Sequence, residues 1–206
     1  VDLDVAEVGT LAQVVLAHQA VETDRRGRPR VDLVIGDLGH AREPGYASEI
    51  NLRLGPWVEA VASALGRGLV LLIDYGYPRA EYYHPERRSG TLMCHFRHRA
   101  HGDPYAHVGL QDITAHVDFS RLADAARSSG LEVAGFSTQA HFLMGCGLER
   151  LVADAAARED GIELMLGAKQ LVMPSGMGER FRVLGLARGV ERPWCGFSLR
   201  DLRGRL

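Results

Sequence analysis

The strongest constraint on the fold is an apolar run at residues 69–73, Leu-Val-Leu-Leu-Ile, which ends at Asp74. The run has the length of a strand and no polar alternation, which is typical of a strand buried on both faces of a parallel sheet. Ligands bind such sheets outside the carboxyl ends of the strands. We therefore predict a strand over 69–74 and expect Asp74 to face a binding crevice.

The flanking regions predict further elements of an α/β fold. A helix precedes the strand, with Asn51 as its cap, Pro56 in its first turn and Gly66 after its end. Its apolar face consists of Trp57, Val58, Val61, Ala62 and Leu65. Downstream we predict a helix over 118–129, a strand over 131–137, a helix from Phe142 to Ala155, a helical stretch over 162–172 and a strand over 181–187. Upstream, weaker patterns indicate an amphipathic helix over 5–21 and a strand over 31–35. This order resembles the end of a doubly wound α/β sheet.

Composition excludes several classes of protein. The 206 residues are 46% hydrophobic and carry a formal net charge of -2, which argues against disorder and against sequence-independent binding of nucleic acid. Three cysteines are too few for a secreted disulfide framework, so we expect reduced, intracellular thiols. No apolar run approaches the ~18 residues of a membrane span, and the amino terminus lacks the features of a signal peptide. We predict a cytoplasmic protein of a bacterial cell.

The polar segment over 75–117 is the least regular part of the chain and holds six of the nine histidines. The sequence Asp74-Tyr75-Gly76-Tyr77 leads into it and places a carboxylate and two phenols at the end of the buried strand. A carboxylate there could hold a cationic substrate or act as a general base. The alternative is an aspartate that closes a turn by accepting backbone N–H groups.

Other polar residues of this segment are further candidates for a site. They are Glu81, His84, His95, His98, Asp112 and His116, whereas Asp118 is more simply a helix cap. Cys94 with His95, His98 and His101 could suggest a metal site, but a second cluster of matching spacing is lacking. A Cys94–His116 nucleophile pair lacks any supporting motif.

The chain contains neither a G-x-G-x-x-G nor a G-x-x-x-x-G-K-[ST] motif. A loop that cradles the phosphate or ribose of a nucleotide is therefore not recognisable in these residues.

Four ordered blocks carry a resemblance to a known family, and three further blocks support it. The four are LIDYG at 72–76, EYYHP at 81–85, GTLMCHFRH at 90–98 and QDITAHVDF at 111–119; the supporting blocks are SEIN at 48–51, STQAHFL at 137–143 and MGERFRVL at 177–184. Over about residues 45–206 the sequence resembles the MidA family. These are class I S-adenosylmethionine-dependent methyltransferases that include the mitochondrial arginine methyltransferase acting in complex I assembly.

The resemblance implies a fold, namely the C-terminal part of a Rossmann-like α/β methyltransferase sheet. The strand over 69–74 would be the fifth of seven, and 131–137 and 181–187 would form the terminal antiparallel pair. The first four strands would lie upstream, with the glycine-rich loop and the acidic residue that hold S-adenosyl-L-methionine. We accordingly expect residues 46–206 to belong to the methyltransferase domain and residues 1–45 to be an insertion or extension. The strand over 69–74 should then expose an unpaired edge.

The resemblance also implies a reaction, the transfer of a methyl group to a guanidinium nitrogen of a protein arginine. The acceptor could be a subunit of respiratory complex I. Asp74, Glu81 and Asp112 would be the acidic groups that orient the guanidinium. The guanidinium would stack on, or be lined by, the rings of Tyr75, Tyr77 and Tyr82. Its hydrogen-bond partners would be His84, His95, His98 and His116. The alternative is a catalytically silent interaction module.

Overall fold

The computed structural model describes residues 46–206, apart from 157, 159, 191 and 192, and the backbone of four short strands nearer the amino terminus. The strands are β1 (Ala12–Val15), β2 (Glu22–Thr23), β3 (Pro29–Arg30), β4 (Leu33–Asp37), β5 (Ala47–Asn51), β6 (Gly68–Tyr77), β7 (Met93–Phe96), β8 (Arg99–His101), β9 (Asp112–Thr114), β10 (Val117–Asp118), β11 (Glu132–Thr138) and β12 (Phe181–Arg188). The helices are α1 (Leu54–Ala64), α2 (Arg79–Tyr82), α3 (Phe119–Ser128), α4 (Gln139–Gly145), α5 (Leu148–Ala155) and α6 (Gly161–Val172).

The main sheet has the order β1-β6-β12-β11, and β10 continues beside the last residues of β6. Strand β6 runs parallel to β1 and β10 and antiparallel to β12. The predicted strand over 69–74 is confirmed, but it continues to Tyr77 because β10 and β12 supply partners for its last residues. Asp74 therefore lies inside the strand, three residues before its end.

The prediction that the strand over 69–74 exposes an unpaired edge is wrong. Residues 70–73 pair with β1 on one side, while β12 pairs with the whole stretch on the other. Among the strands that the structure describes, β1 and β11 are the two ends of this sheet and have a neighbour on one side only. The parallel strand next to β6 thus lies upstream of it within this chain. The position of the other strands that were expected upstream stays a prediction. The division at residues 45 and 46 stays a prediction.

The predicted terminal pair is confirmed, since β11 and β12 pair antiparallel along their lengths. An irregularity between Val133 and Gly135 bends β11. Gly135 and Gly185 lie opposite each other, and a side chain on either would collide with the ring of Phe197. The tail is therefore packed directly onto the sheet, which Leu202 reinforces by donating its N–H to the carbonyl of Phe136 at 2.6 Å.

The core lies between the sheet and the helices α1 and α3. Leu72, Phe136 and Leu184 of the sheet are fully buried, as are Val58 of α1 and Phe119 of α3. The Phe119 and Phe136 rings pack with centroids 5.1 Å apart.

The predictions of helices α1 and α3 are confirmed. Asp118 is the cap of α3, as predicted, and its carboxylate accepts a hydrogen bond from the N–H of Arg121 at 3.0 Å. Asn51 is not the α1 cap. Its side chain accepts from the N–H of Arg53, and Arg53 precedes the helix.

Arg188 at the end of β12 connects the two core helices. Its guanidinium donates to the carbonyls of Ala62 and Leu65 at the end of α1, at 2.5 and 2.9 Å. It also donates to the carbonyl of Ser129 after α3 at 2.8 Å. The last carbonyls of a helix have no partner within the helix, so one arginine satisfies both helix ends.

Three other predictions need correction. Residues 12–15, within the helix predicted over 5–21, form strand β1, because Val14 and Val15 pair beside β6; the rest of that range lies outside the described residues. The strand predicted over 31–35 is observed at Leu33–Asp37, where it pairs with β5. The helix predicted from Phe142 to Ala155 is two helices, since Gly147 adopts a positive φ of 86° and breaks it.

The segment predicted as irregular contains a small antiparallel sheet of the order β8-β7-β9. Its hairpin turns at Arg97 and His98, which have φ values of 48° and 63°. Positive φ at both central residues is the conformation that a two-residue hairpin requires. None of the described helices is both long enough and apolar enough to cross a lipid bilayer.

Candidate functional site

Aromatic and charged side chains meet at the carboxyl end of β6, where the apolar run led us to expect a binding crevice. Asp74 and Tyr75 lie opposite Arg182 and Phe181 of β12, while Gly76 lies opposite Val117 of β10. A side chain on Gly76 would collide with the backbone of Val117. The glycine therefore allows β10 to pair with β6, and this pairing places the residue before Val117 next to the tyrosines.

That residue, His116, lies between Tyr75 and Tyr77. The ring centroids are 5.4 Å apart for Tyr75 and His116 and 5.1 Å apart for Tyr77 and His116. Phe181 contacts the Tyr75 ring edge-on at 5.3 Å. The guanidinium of Arg87 stacks over the Tyr77 ring at 3.8 Å and also donates to the carbonyl of Glu81. The four rings form an aromatic wall, defined here as Tyr75, Tyr77, His116 and Phe181.

Charged groups surround this wall. Glu81 of α2 pairs with Arg205 of the tail at 2.5 Å, and its side chain is 30% exposed. Arg182 donates to the carbonyl of Glu179 at 2.5 Å, and burial lowers its pKa although Glu81 and Glu179 oppose that effect. The Asp74 carboxylate accepts from the N–H of Tyr75 at 2.8 Å. One carboxylate beside the wall, that of Glu81, therefore already binds a guanidinium group.

Burial shifts the pKa values of two side chains in the aromatic wall, Tyr75 and His116. Burial, and then the negative charge of Asp74, raise the pKa of the Tyr75 phenol. Burial, and then the positive charge of Arg87, lower the pKa of His116, although Glu49 opposes this. Its Nδ1 atom is buried and has no hydrogen-bond partner among the described residues. The imidazole is thus neutral at physiological pH and has a free ring nitrogen.

The lowered pKa of His116 predicts a pH dependence of stability. Because the folded-state pKa lies below the ordinary value of 6.5, the unfolded chain binds the proton more tightly. The stabilising contribution is complete above about pH 6.5 and is lost as the pH falls toward the folded-state pKa. Between pH 7 and 5 the wild type should lose free energy of unfolding, and H116F should lose less. The difference between the two should be a fraction of about 1.4 kcal/mol per pH unit, which is the limit for one proton.

Urea unfolding at several pH values measures this effect. H98Q, which removes an imidazole from an exposed turn, is the control for loss of a histidine as such. Equal pH profiles for H116F and the wild type would contradict the assignment.

Glu49 of β5 is a buried carboxylate that the sequence-based site did not include. It is only 3% exposed. Tyr82 donates its hydroxyl to this carboxylate at 3.1 Å, and Thr91 donates both its N–H, at 2.8 Å, and its hydroxyl. A side chain on Gly90, whose φ is +72°, would collide with the same carboxylate. The Thr91 hydroxyl also accepts from the N–H of His116 at 2.9 Å, so Glu49 fixes the aromatic wall through one intermediate residue.

A second polar cluster was also missed. Thr138, at the end of β11, contacts Nδ1 of His141 through its hydroxyl at 2.7 Å, and the same nitrogen lies 3.7 Å from the Glu179 carboxylate. The N–H of Ala140 donates to the carbonyl of Gly178 at 3.0 Å and so joins the two segments. The blocks at 137–143 and 177–184 contain this cluster, and the block at 48–51 contains Glu49. These blocks supported the family resemblance, but their residues were not among the predicted site residues.

The eight predicted site residues fall into two groups. Asp74, Tyr75, Glu81 and His116 lie at or beside the aromatic wall. The other four are exposed: His84 lies 3.8 Å from Glu86, His98 is in the hairpin turn, and His95 and Asp112 are opposite each other in the small sheet. The structure does not bring these four to the wall. In residues 46–206, with the four exceptions given above, no three histidine, cysteine or acidic side chains form a group that could hold a metal ion.

The described residues do not provide a complete cradle for a nucleoside cofactor. Gly76 lies within the last residues of β6, and the backbone of Val117 occupies the space beside its Cα atom. The sequence has no glycine-rich strand-to-helix motif elsewhere. We therefore derive no step that passes through a cofactor bound to these residues.

The sheet, its antiparallel terminal pair and the polar end of its central strand have the architecture of a class I methyltransferase. The chain belongs to the family described as "Putative S-adenosyl-L-methionine-dependent methyltransferase", whose model matches residues 5–137. This confirms the resemblance that the sequence blocks carried.

Similar proteins support the same conclusion. The chain is 31% identical over 142 residues to "Protein arginine methyltransferase NDUFAF7 homolog, mitochondrial" of Drosophila melanogaster, covering 64% of this chain and 30% of that protein. It is 31% identical to the Danio rerio protein of the corresponding name over 152 residues, covering 70% and 34%. A crystal structure of an uncharacterised Burkholderia thailandensis protein aligns with a TM-score of 0.77 and 37% identity, covering 82% of this chain and 46% of that one.

A second Burkholderia thailandensis structure, bound to S-adenosyl-homocysteine, aligns with a TM-score of 0.73 and 38% identity, covering 82% of this chain and 44% of that one. The chain thus spans about a third of the length of the curated relatives it matches and less than half of the solved ones.

Proposed function

We propose that this chain provides the acceptor side of an S-adenosyl-L-methionine-dependent methyltransferase that modifies arginine side chains of a protein. The observation that carries the proposal is the environment of Arg87. Its guanidinium lies flat on Tyr77 and donates to the carbonyl of Glu81. The end of β6 therefore already holds one planar guanidinium by a ring face and an oxygen acceptor.

The neighbouring carboxylates fit the same substrate. Asp74 and Glu81 are partly shielded from solvent, and the charge-assisted hydrogen bonds of a carboxylate to a guanidinium are stronger than neutral ones. Two such bonds fix the orientation of the planar group as well as its position. The acceptor nitrogen could thus be aligned with a methyl donor.

An arginine nitrogen that gains a methyl group must release a proton. His116 is suited to receive it, because burial keeps the ring neutral and its Nδ1 has no partner among the described residues. The names of the relatives from Drosophila melanogaster and Danio rerio support arginine as the acceptor. A complex I subunit as the acceptor protein, and the cytoplasm as the compartment, remain part of this proposal.

The test uses the whole protein that contains these residues, S-adenosyl-L-methionine labelled in its methyl group, and matched peptides containing either arginine or lysine. We expect label in methylarginine, and about a 100-fold lower rate for D74N and E81Q, because each removes one charged contact to the guanidinium. E86Q is the matched control, since Glu86 is 89% exposed. Label on lysine, or wild-type rates in both variants, would refute the assignment.

Calorimetry with S-adenosyl-homocysteine separates this function from a silent interaction module. The 206-residue chain lacks a recognisable cofactor loop, so we expect no binding to it alone. Binding to the whole protein supports the methyltransferase, whereas its absence there supports the silent module.

A further inference from the structure

Two cysteines far apart in sequence lie side by side in the structure. Cys146 follows α4, and Cys195 begins a short 3₁₀ helix, Cys195–Phe197, in the tail. Their sulfur atoms are 3.9 Å apart although 49 positions separate the residues. Both are exposed and reduced, whereas the third cysteine, Cys94, is fully buried.

We propose that Cys146 and Cys195 are an oxidative modification site, at which a peroxide converts the two thiols into a reversible disulfide that joins α4 to the tail. The proposal does not depend on the methyltransferase function.

The backbones around the two cysteines are already close. A side chain on Gly145 would lie 2.5 Å from the carbonyl oxygen of Cys195, and a side chain on Gly196 would collide with the Phe142 ring. Phe142 also contacts Phe197 with ring centroids 5.2 Å apart. The glycine beside each cysteine thus permits this approach. A disulfide needs the sulfurs to close to about 2.05 Å, which rotation of the two side chains can supply.

The chemistry balances with a peroxide as the oxidant. One thiolate attacks a peroxide oxygen, the O–O bond breaks, and a sulfenic acid and water form. The second thiol then attacks the sulfenic sulfur; an S–S bond forms, and the hydroxyl leaves with the thiol proton as a second water. Burial, and then the neighbouring Cys195, raise the pKa of the Cys146 thiol to about 11, so Cys146 carries its proton at neutral pH. A thiol reductant such as glutathione reverses the bond by exchange.

The bond would cross-link residues on both sides of β12. Because it closes a loop of 49 positions, it should restrict the unfolded chain more than the folded one. We expect the oxidised protein to unfold at a temperature higher by roughly 5 °C or more.

Dilute hydrogen peroxide applied to the folded 206-residue chain tests the proposal. We expect the intact mass to fall by two hydrogen atoms, the thiols titrated after denaturation to fall from three to one, and peptide mapping to identify a Cys146–Cys195 link. Glutathione should restore all three thiols. C146S and C195S, both at exposed positions, should each abolish the mass loss and the shift in unfolding temperature.

Three results would each overturn the proposal. They are three remaining thiols in the treated wild type, a mass gain from oxygen addition without an S–S bond, and a linked peptide that contains Cys94. Since C146S and C195S change only exposed sulfurs, their unfolding temperatures under reducing conditions should match the wild type and confirm that both variants fold.

Discussion

Replacing Glu49 with alanine should lower the free energy of unfolding by about 3 kcal/mol, one of the two largest effects expected here. The carboxylate is 3% exposed and accepts from the hydroxyl of Tyr82 and from the N–H and hydroxyl of Thr91. Without it these donors stay buried with no acceptor, and a small cavity opens. Thermal unfolding should show a fall of roughly 6–12 °C for a domain of this size.

Two variants make the Glu49 experiment specific. E49Q keeps the volume and one acceptor oxygen, so it should lose less than E49A. E86A removes a carboxylate that is 89% exposed and should stay within about 0.5 kcal/mol of the wild type. Since the Thr91 hydroxyl also accepts from the N–H of His116, E49A should in addition shift the imidazole resonances of His116. If E49A were as stable as E86A, the buried carboxylate would not have the role assigned to it.

Replacing Gly76 with alanine should cost about 3 kcal/mol for a different reason, which is a collision between backbones. The added methyl group would overlap the carbonyl and nitrogen of Val117, and no side-chain rotation can relieve a contact with main-chain atoms. Strand β10 must then separate from β6. This would displace His116 on one side of Val117 and the α3 cap Asp118 on the other. Urea unfolding measures the loss in free energy.

The matched control for Gly76 is Gly167, which lies in α6 with no atom within 4 Å of the position of an added side chain. G167A should raise the free energy of unfolding by about 0.5–1 kcal/mol, because alanine favours a helix over glycine. A wild-type urea midpoint for G76A would show that β10 can move without cost, and the placement of His116 by this pairing would then be wrong.

Part of the site could be predicted from sequence because it depends on one strand. The apolar run at 69–73 predicted where a parallel strand ends, and residues that follow such a strand lie at the ligand-binding edge. Asp74, Tyr75 and Glu81 were predicted in this way, and the structure places them at or beside the aromatic wall. His95, His98 and Asp112 were candidates for the same region, but they lie on the small β8-β7-β9 sheet, whose pairing no local pattern reveals.

The residues that were missed depend on contacts between distant segments. Nothing in the local sequence marks Glu49 as a buried carboxylate. Its role follows only from its hydrogen bonds with Tyr82 and Thr91, which lie 33 and 42 positions away in the chain. The approach of His141 to Glu179 likewise joins helix α4 to the segment that precedes β12. Such contacts leave no periodic signal, although all three residues occur in blocks that carry the family resemblance.

The sequence alone determined the buried central strand, the helices on either side of it, the terminal strand pair through the family resemblance, and the family itself. These follow from the periodicity of apolar residues, from glycines that end helices, and from ordered motif blocks, all of which are local properties of a chain. The tertiary structure decided which strand occupies the edge of the sheet. It placed β1 beside β6, where a helix had been predicted. It also decided which polar groups meet at the site and which two cysteines are neighbours, because strand pairing and side-chain packing depend on the whole fold.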